Sequence, residues 1–312
     1  MPVLIASFIF CIVNVNATIV LLSILGALAV AFIIGWALSV RGRNVPLPGG
    51  IEVAIGFCTN FFDALGIGSF ATTTSLLKLC RVVDDQDIPG TLNVGLTIPS
   101  FIEAFLFISI VRVDPATLIP LITAAVAGAW LGSGVVARWP RRNIQLGMGA
   151  ALLIAGTLLV LSNLKLFPGG GSALALHDGK WWFAIGVNFC LGALMTLGIG
   201  LFAPCMILVS LLGMNPIAAF PIMMASCAFL MPVASVRFIQ FDRYTLRAAL
   251  GLTLGGIPAV LIAAFLVKAL PLTTLRWLVI GVVTYTAASM LRSATRDQAK
   301  TSLSVQPTSG VH

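Results

Sequence analysis

Two carboxylates, Asp63 and Glu103, stand inside stretches that are otherwise apolar. An ionisable side chain in such a setting is costly and is by default a functional candidate. Removing a carboxylate from water favours its neutral form, so both are candidate carriers of a coupling proton. Each has a structural alternative. Asp63 can cap the backbone amides of a following helix, and Glu103 can be a hydrogen-bonded core partner. Asp63 lies three residues before the box Leu65-Gly66-Ile67-Gly68. That box returns as Leu197-Gly198-Ile199-Gly200, at a constant offset of 132 residues. Phe57-Cys58 and Phe70-Ala71 recur at the same offset, as Phe189-Cys190 and Phe202-Ala203, so eight positions agree. The residue matching Asp63 is Met195, so a proton role there is not shared by the two copies.

A Gly-x-Gly pair inside an apolar run interrupts a helix where no water can satisfy the freed backbone. Paired interruptions in the two halves of a chain point to a transporter's binding site. The helix that restarts after each break offers unpaired N–H groups and a positive dipole end, which suit an anion without any arginine. In the first copy Ser69, Thr72, Thr73, Thr74 and Ser75 add hydroxyl donors. In the second the hydroxyls are gone, and Pro204 and Cys205 fall in the first turn, where proline is tolerated. The next span of each half carries a polar turn and a proline: Thr91, Asn93 and Thr97 before Pro99, and Ser226 before Pro232. The candidate substrate-binding set is therefore Gly66, Gly68, Ser69, Thr72, Thr73, Asn93, Gly198, Gly200, Pro204, Cys205 and Ser226. The alternatives are that the glycines serve close helix packing and that the hydroxyls rebond carbonyls freed near the prolines.

The elements that must position these residues are membrane helices. Of 312 residues, 59% are hydrophobic and 9% charged, against roughly 25% charged in soluble proteins. The formal charge of +8 would suggest nucleic acid in a soluble domain. Here it fits basic residues in short loops, and no basic-aromatic cluster resembles a nucleic-acid site. The cysteines (Cys11, Cys58, Cys80, Cys190, Cys205 and Cys227) form no C-x-x-C and read as small packing residues. His177 and His312 lie in a loop and in the tail, so no metal cluster or catalytic constellation is expected, and neither enzyme nor cofactor is predicted.

The chain divides into an N-terminal extension with a first span at 1–50, a first repeat at 51–164, a flexible linker at 165–180, a second repeat at 181–291 and a polar tail at 292–312. The first span is expected at about 17–40. Broken segments are expected at 51–80 and 181–213. Intact spans follow near 88–111, 116–137 and 144–164, and again near 216–236, 245–270 and 274–291. Glu52 and Lys78, near membrane ends, are expected to snorkel. If both broken segments cross fully, alternate loops hold 11 and 7 of the 18 basic residues. If each is re-entrant, 13 share one side, among them Arg41, Arg43, Lys78, Arg138, Arg243 and Arg247, against 5 on the other. The second arrangement fits the positive-inside rule better. It predicts an all-α polytopic protein with two inverted repeats, each a broken, re-entrant helical segment plus three spanning helices, and one extra N-terminal span.

The two Leu-Gly-Ile-Gly boxes, Pro204, and the pairs Gly90-Thr91 and Ala225-Ser226 resemble the TauE/SafE sulfite exporter family, also called the toluene sulfonate uptake permease family. The resemblance covers about residues 50–291. Ser69 and Leu201 stand where that pattern has a third glycine, the first box lacks the proline, and Asp63 is an addition. The resemblance implies a multi-pass protein of the bacterial inner membrane that moves sulfite, an organosulfonate or another small sulfur-containing anion, with export the expected direction. Together with the site reading it implies alternating access, driven either by a proton gradient, with Asp63 or Glu103 as the carrier, or by the membrane potential. An anion channel using the same half-helix site is the alternative. The expected partners are a small anionic substrate and the lipid bilayer.

Overall fold

The computed structural model describes residues 2–65, 67–111, 113–166, 171–198, 200–266, 280, 284–285 and 287–295. Among these, ten α-helices form and no strand does. They are α1 (Pro2–Val40), α2 (Gly50–Ala64), α3 (Ser69–Leu79), α4 (Ile88–Ile110), α5 (Pro115–Val136), α6 (Arg141–Asn163), α7 (Asp178–Met195), α8 (Phe202–Leu211), α9 (Ala219–Gln240) and α10 (Leu246–Leu266). Segments of six helices are long and apolar enough to cross a bilayer: Ala17–Val40, Ile88–Ile110, Pro115–Val136, Arg141–Asn163, Ala219–Gln240 and Leu246–Ala264. The chain is an all-α protein with the helices of a membrane protein. α1 runs unbroken from Pro2, fifteen residues before the expected start at residue 17.

Both expected interruptions are present. α2 has 15 residues and α3 has 11, or about 22 and 16 Å at 1.5 Å per residue, too short for a core of about 30 Å. α7 has 18 residues and α8 has 10. α2 closes with the Ile67 amide donating to the Phe62 carbonyl at 3.0 Å, the long return bond of a Schellman end. α7 closes more tightly, through amides of Thr196, Leu197 and Gly198 that reach back three residues each.

The halves exchange partners. α2 packs chiefly on α10 and α7 on α5, while α4 packs on α9 at the centre; α4 also meets α10, and α5 meets α9. α9 is the most buried spanning helix, with α4 next, and α1 is the least buried. Small residues make the closest of these contacts. Gly128 and Gly132 of α5 and Gly251 and Gly255 of α10 are each a small-xxx-small pair, a spacing that lets backbones approach. A Cβ at Gly132 would lie 2.9 Å from the Ala193 Cα, and one at Gly56 would lie 2.6 Å from the Leu252 Cα.

Each of α4, α5, α9 and α10 carries an internal proline: Pro99, Pro120, Pro232 and Pro258. A proline leaves the carbonyl four residues earlier without its helical donor. The partner helices supply two of these donors. The Thr253 hydroxyl donates to the Gly95 carbonyl at 2.7 Å, and the Trp181 indole donates to the Ala116 carbonyl at 2.9 Å.

Polar contacts sort the helix termini into two groups. Glu52 at the start of α2 pairs with Arg247 at the start of α10 at 3.0 Å. The adjacent Thr245 amide donates to the Thr91 hydroxyl at the start of α4 at 2.9 Å. Lys78 at the end of α3 pairs with Asp85 in the connection to α4, and Arg43 after α1 pairs with Asp242 after α9 at 2.8 Å. In the other group, Lys180 at the start of α7 donates to the Leu212 carbonyl just after α8 at 3.2 Å, and Trp181 reaches the start of α5. Glu52 and Lys78 thus have a guanidinium and a carboxylate partner in the protein, where snorkelling was expected: Glu52 is buried, and Asp85 is buried beneath Lys78.

The linker departs from expectation in its described part. Rather than hanging free, residues 171–176 are pinned to neighbouring loops. The Gly171 amide donates to Met214, the Asn215 amide to Ala173, and the Asp114 amide to Leu174. The expected last span, 274–291, lies largely outside the described residues, although 287–295 are helical. Most of the tail also lies outside them.

Candidate functional site

The two breaks meet. A cavity of ≈ 20 Å³ is lined by Asp63, Gly68 and Ser69 from the first break and by Met195, Gly200 and Leu201 from the second. These are three pairs of equivalent positions at the 132-residue offset. Phe70, Ser100 and Glu103, with Met223, Met224 and Cys227 of α9, complete the wall. The volume is about that of one enclosed water molecule, so the site is closed around it. No Lys, Arg or His lines it.

The local backbone explains why glycines stand here. Gly68, immediately before α3, has φ +91 and ψ 131, a conformation that side-chain-bearing residues rarely adopt. Gly198 has φ +95. These are not equivalent positions, since Gly68 matches Gly200. Gly66, the equivalent of Gly198, lies outside the described residues. At Gly200 what matters is proximity: a Cβ there would sit 3.7 Å from the Cβ of Phe70 in the opposite hairpin.

Asp63 faces the cavity beside Ser69, the first residue of α3, whose hydroxyl and amide are polar neighbours of its carboxylate. An acid at this end complements the helix dipole. Glu103 is 1% exposed, and its Oε1 has no hydrogen-bond partner among the described residues. Its expected role as a hydrogen-bonded core partner therefore does not account for that oxygen.

Of the candidate binding residues, Gly68, Ser69 and Gly200 line the cavity, as do both proton candidates. Gly66 lies outside the described residues. Gly198 faces away from the cavity, its nearest neighbours being Met148 and Thr74. Thr72 turns its hydroxyl onto the carbonyls of Gly68 and Ser69, at 3.1 and 2.8 Å. Thr73 is fully buried with its hydroxyl oxygen unpartnered among the described residues, and it does not line the cavity. Asn93 donates to the Pro89 carbonyl at 2.8 Å within its own helix. Pro204 occupies the third position of α8. Cys205 is buried with its Sγ 4.0 Å from the Ala219 carbonyl. Ser226 accepts from the Asn188 amide at 3.4 Å. None of these last four lines the cavity.

Sequence reasoning missed Met223, Met224 and Cys227 as lining residues, and it noted Met195 only as the mismatch to Asp63. Met223 and Cys227 stand four apart on α9, so they share a face. The signal available was that spacing, one span after the second box.

No family model, curated protein or solved structure matches the chain. What the fold and the geometry define is an all-α membrane protein with two broken helices that close on one small, acid-lined cavity.

Proposed function

We propose that this protein is a secondary transporter that moves a small sulfur-containing anion across the bacterial inner membrane by alternating access. The observation that carries the reading is that equivalent positions of both breaks line one small cavity. There the starts of α3 and α8 present first-turn amides with no partner inside their helices. Ser69 and Ser100 add hydroxyls. A closed volume of ≈ 20 Å³ suits the resting state of a transporter better than an open channel. An anion of four or more heavy atoms enters only when the two hairpins separate.

The grouping of helix termini supports a topology in which each hairpin enters and leaves on one side. Glu52, Thr91 and Lys78 belong with the basic-rich ends, which we assign to the cytoplasm, and Lys180 and Leu212 belong to the opposite face. The first half then begins inside and the second outside, an inverted repeat of the kind that brings half-helices to the bilayer midplane. The resemblance of the two Leu-Gly-Ile-Gly boxes to the TauE/SafE sulfite exporter family supports a sulfur oxyanion or sulfonate as the cargo. Movement of one hairpin and its packed partner (α2 with α10, or α7 with α5) against the other supplies alternating access. The test is flux of sulfite, sulfoacetate, sulfolactate and taurine into proteoliposomes holding the full chain. Saturable uptake of at least one is expected, and uptake of none above protein-free vesicles contradicts the proposal.

A further inference from the structure

We infer that the anion and protons cross together: the cavity receives an anion only after its two carboxyls have taken up protons, which makes the protein a symporter rather than an exchanger of anion for proton. This rests on the anion-transport reading above. The first ground is the charge of the wall. Every element around the cavity can be inspected for ionisable groups. α2 supplies Asp63, α4 supplies Glu103 and α9 supplies Cys227, with Cys205 of α8 behind it. α3 and α7 supply none, and no cationic side chain lines the cavity. An anion placed beside two ionised carboxylates in a space this small would meet like charge on both sides, with little water to screen it. An exchanger would have to bind the anion in that unprotonated state.

The second ground is competition for donors. The Ser69 hydroxyl and amide are what the start of α3 offers an anion, and the Asp63 carboxylate lines the same cavity and competes for them. Protonation turns that acceptor into a neutral group with a hydrogen of its own to donate, and it releases the Ser69 amide to the guest. The third ground is Glu103. Its Oε1, buried and unpartnered among the described residues, belongs to a group that lines the same cavity. The protonated form would let this carboxyl donate to a bound oxyanion. Protons that enter with the anion leave with it, so an inward proton gradient drives uptake, in contrast to the export expected from sequence resemblance.

The test uses the full chain in proteoliposomes. The probes are isethionate, whose sulfonate stays ionised across the tested pH range, and sulfite. An acidic exterior is expected to accelerate uptake, by up to about tenfold per pH unit for each proton taken up, and to drive accumulation. Adding anion to unbuffered vesicles should make the medium alkaline. Glu103→Gln and Asp63→Asn, which mimic protonated carboxyls, should each flatten the pH dependence of whatever uptake remains. Acceleration by an alkaline exterior, or flux indifferent to the gradient, overturns the inference and leaves the transport reading standing. Absence of flux for both probes and for the wider anion panel at every pH overturns both. The alkalinisation readout needs no variant, so it decides the matter even if a substituted protein fails to fold.

Discussion

The glycine boxes make one prediction that sequence equivalence alone would get wrong. Gly68 and Gly200 occupy matching places in the two copies, yet among the described residues the box glycines with a positive φ are Gly68, at +91, and Gly198. Alanine at 68 must hold a backbone conformation that costs of order 1–3 kcal/mol for a residue with a Cβ. Gly198, at φ +95, carries the same penalty. Its added methyl would meet Met148 and Thr74 at 3.4 Å, close but adjustable because both contacts are side-chain ends. At Gly200 the new methyl would meet only the Phe70 Cβ at 3.7 Å, an ordinary van der Waals distance. Gly200→Ala should therefore stay within about 0.5 kcal/mol of the parent. Thermal unfolding in detergent should separate the variants. At roughly 2–4 °C per kcal/mol, Gly68→Ala and Gly198→Ala should each lower Tm by several degrees, and Gly200→Ala by about two degrees at most. Equal losses at 68 and 200 would refute the claim that backbone conformation, and not proximity, is what requires glycine at 68.

Other consequences follow from the packing. Thr253→Val should cost about 1–3 kcal/mol, because it strands the Gly95 carbonyl freed by Pro99; Trp181→Phe should act in the same sense at Ala116, and chemical denaturation reads both. Gly56→Leu should drive α2 away from α10, since even a Cβ would lie 2.6 Å from the Leu252 backbone; a cost of at least 1–3 kcal/mol should appear as lost monodispersity on size exclusion. Asp87, just ahead of α4, has its carboxyl raised above the usual range by burial, with Arg243 opposing the shift. The folded state thus holds this proton more tightly than the unfolded chain, so the stability it contributes is full at acid pH and is lost as pH rises through the raised value. Asp87→Asn should therefore be more stable than the parent at neutral pH, and the gain should vanish below about pH 4.

Much of the architecture was readable from residues alone, because membrane helices obey few rules. The apolar runs located the spans, and a Gly-x-Gly inside a run of some thirty residues located each break to within a few positions. The positive-inside count favoured re-entrant segments, the topology that the proposed function adopts. Tertiary choices were less legible. Nothing local says that α2 will pair with α10 rather than with its chain neighbour α4. The small-xxx-small pairs Gly128/Gly132 and Gly251/Gly255 marked helix faces built for close approach, but not which helix each would meet. Hydroxyls were over-read for a related reason. In a helix a threonine has its own backbone carbonyls within reach, and Thr72 uses them. Met195, Met223 and Cys227 were passed over because apolar and sulfur side chains look like packing until a cavity is seen among them.

The central claim is that the two breaks meet, and one distance tests it most directly. A Cβ at Gly200 would lie 3.7 Å from the Cβ of Phe70, near the ~3.8 Å mean for disulfide-bonded cysteines. Phe70→Cys combined with Gly200→Cys, in a background lacking the native cysteines, should cross-link under mild oxidation and lock transport until a reductant is added. Folded, inserted protein in which these two cysteines stay unlinked under oxidising conditions would contradict the account.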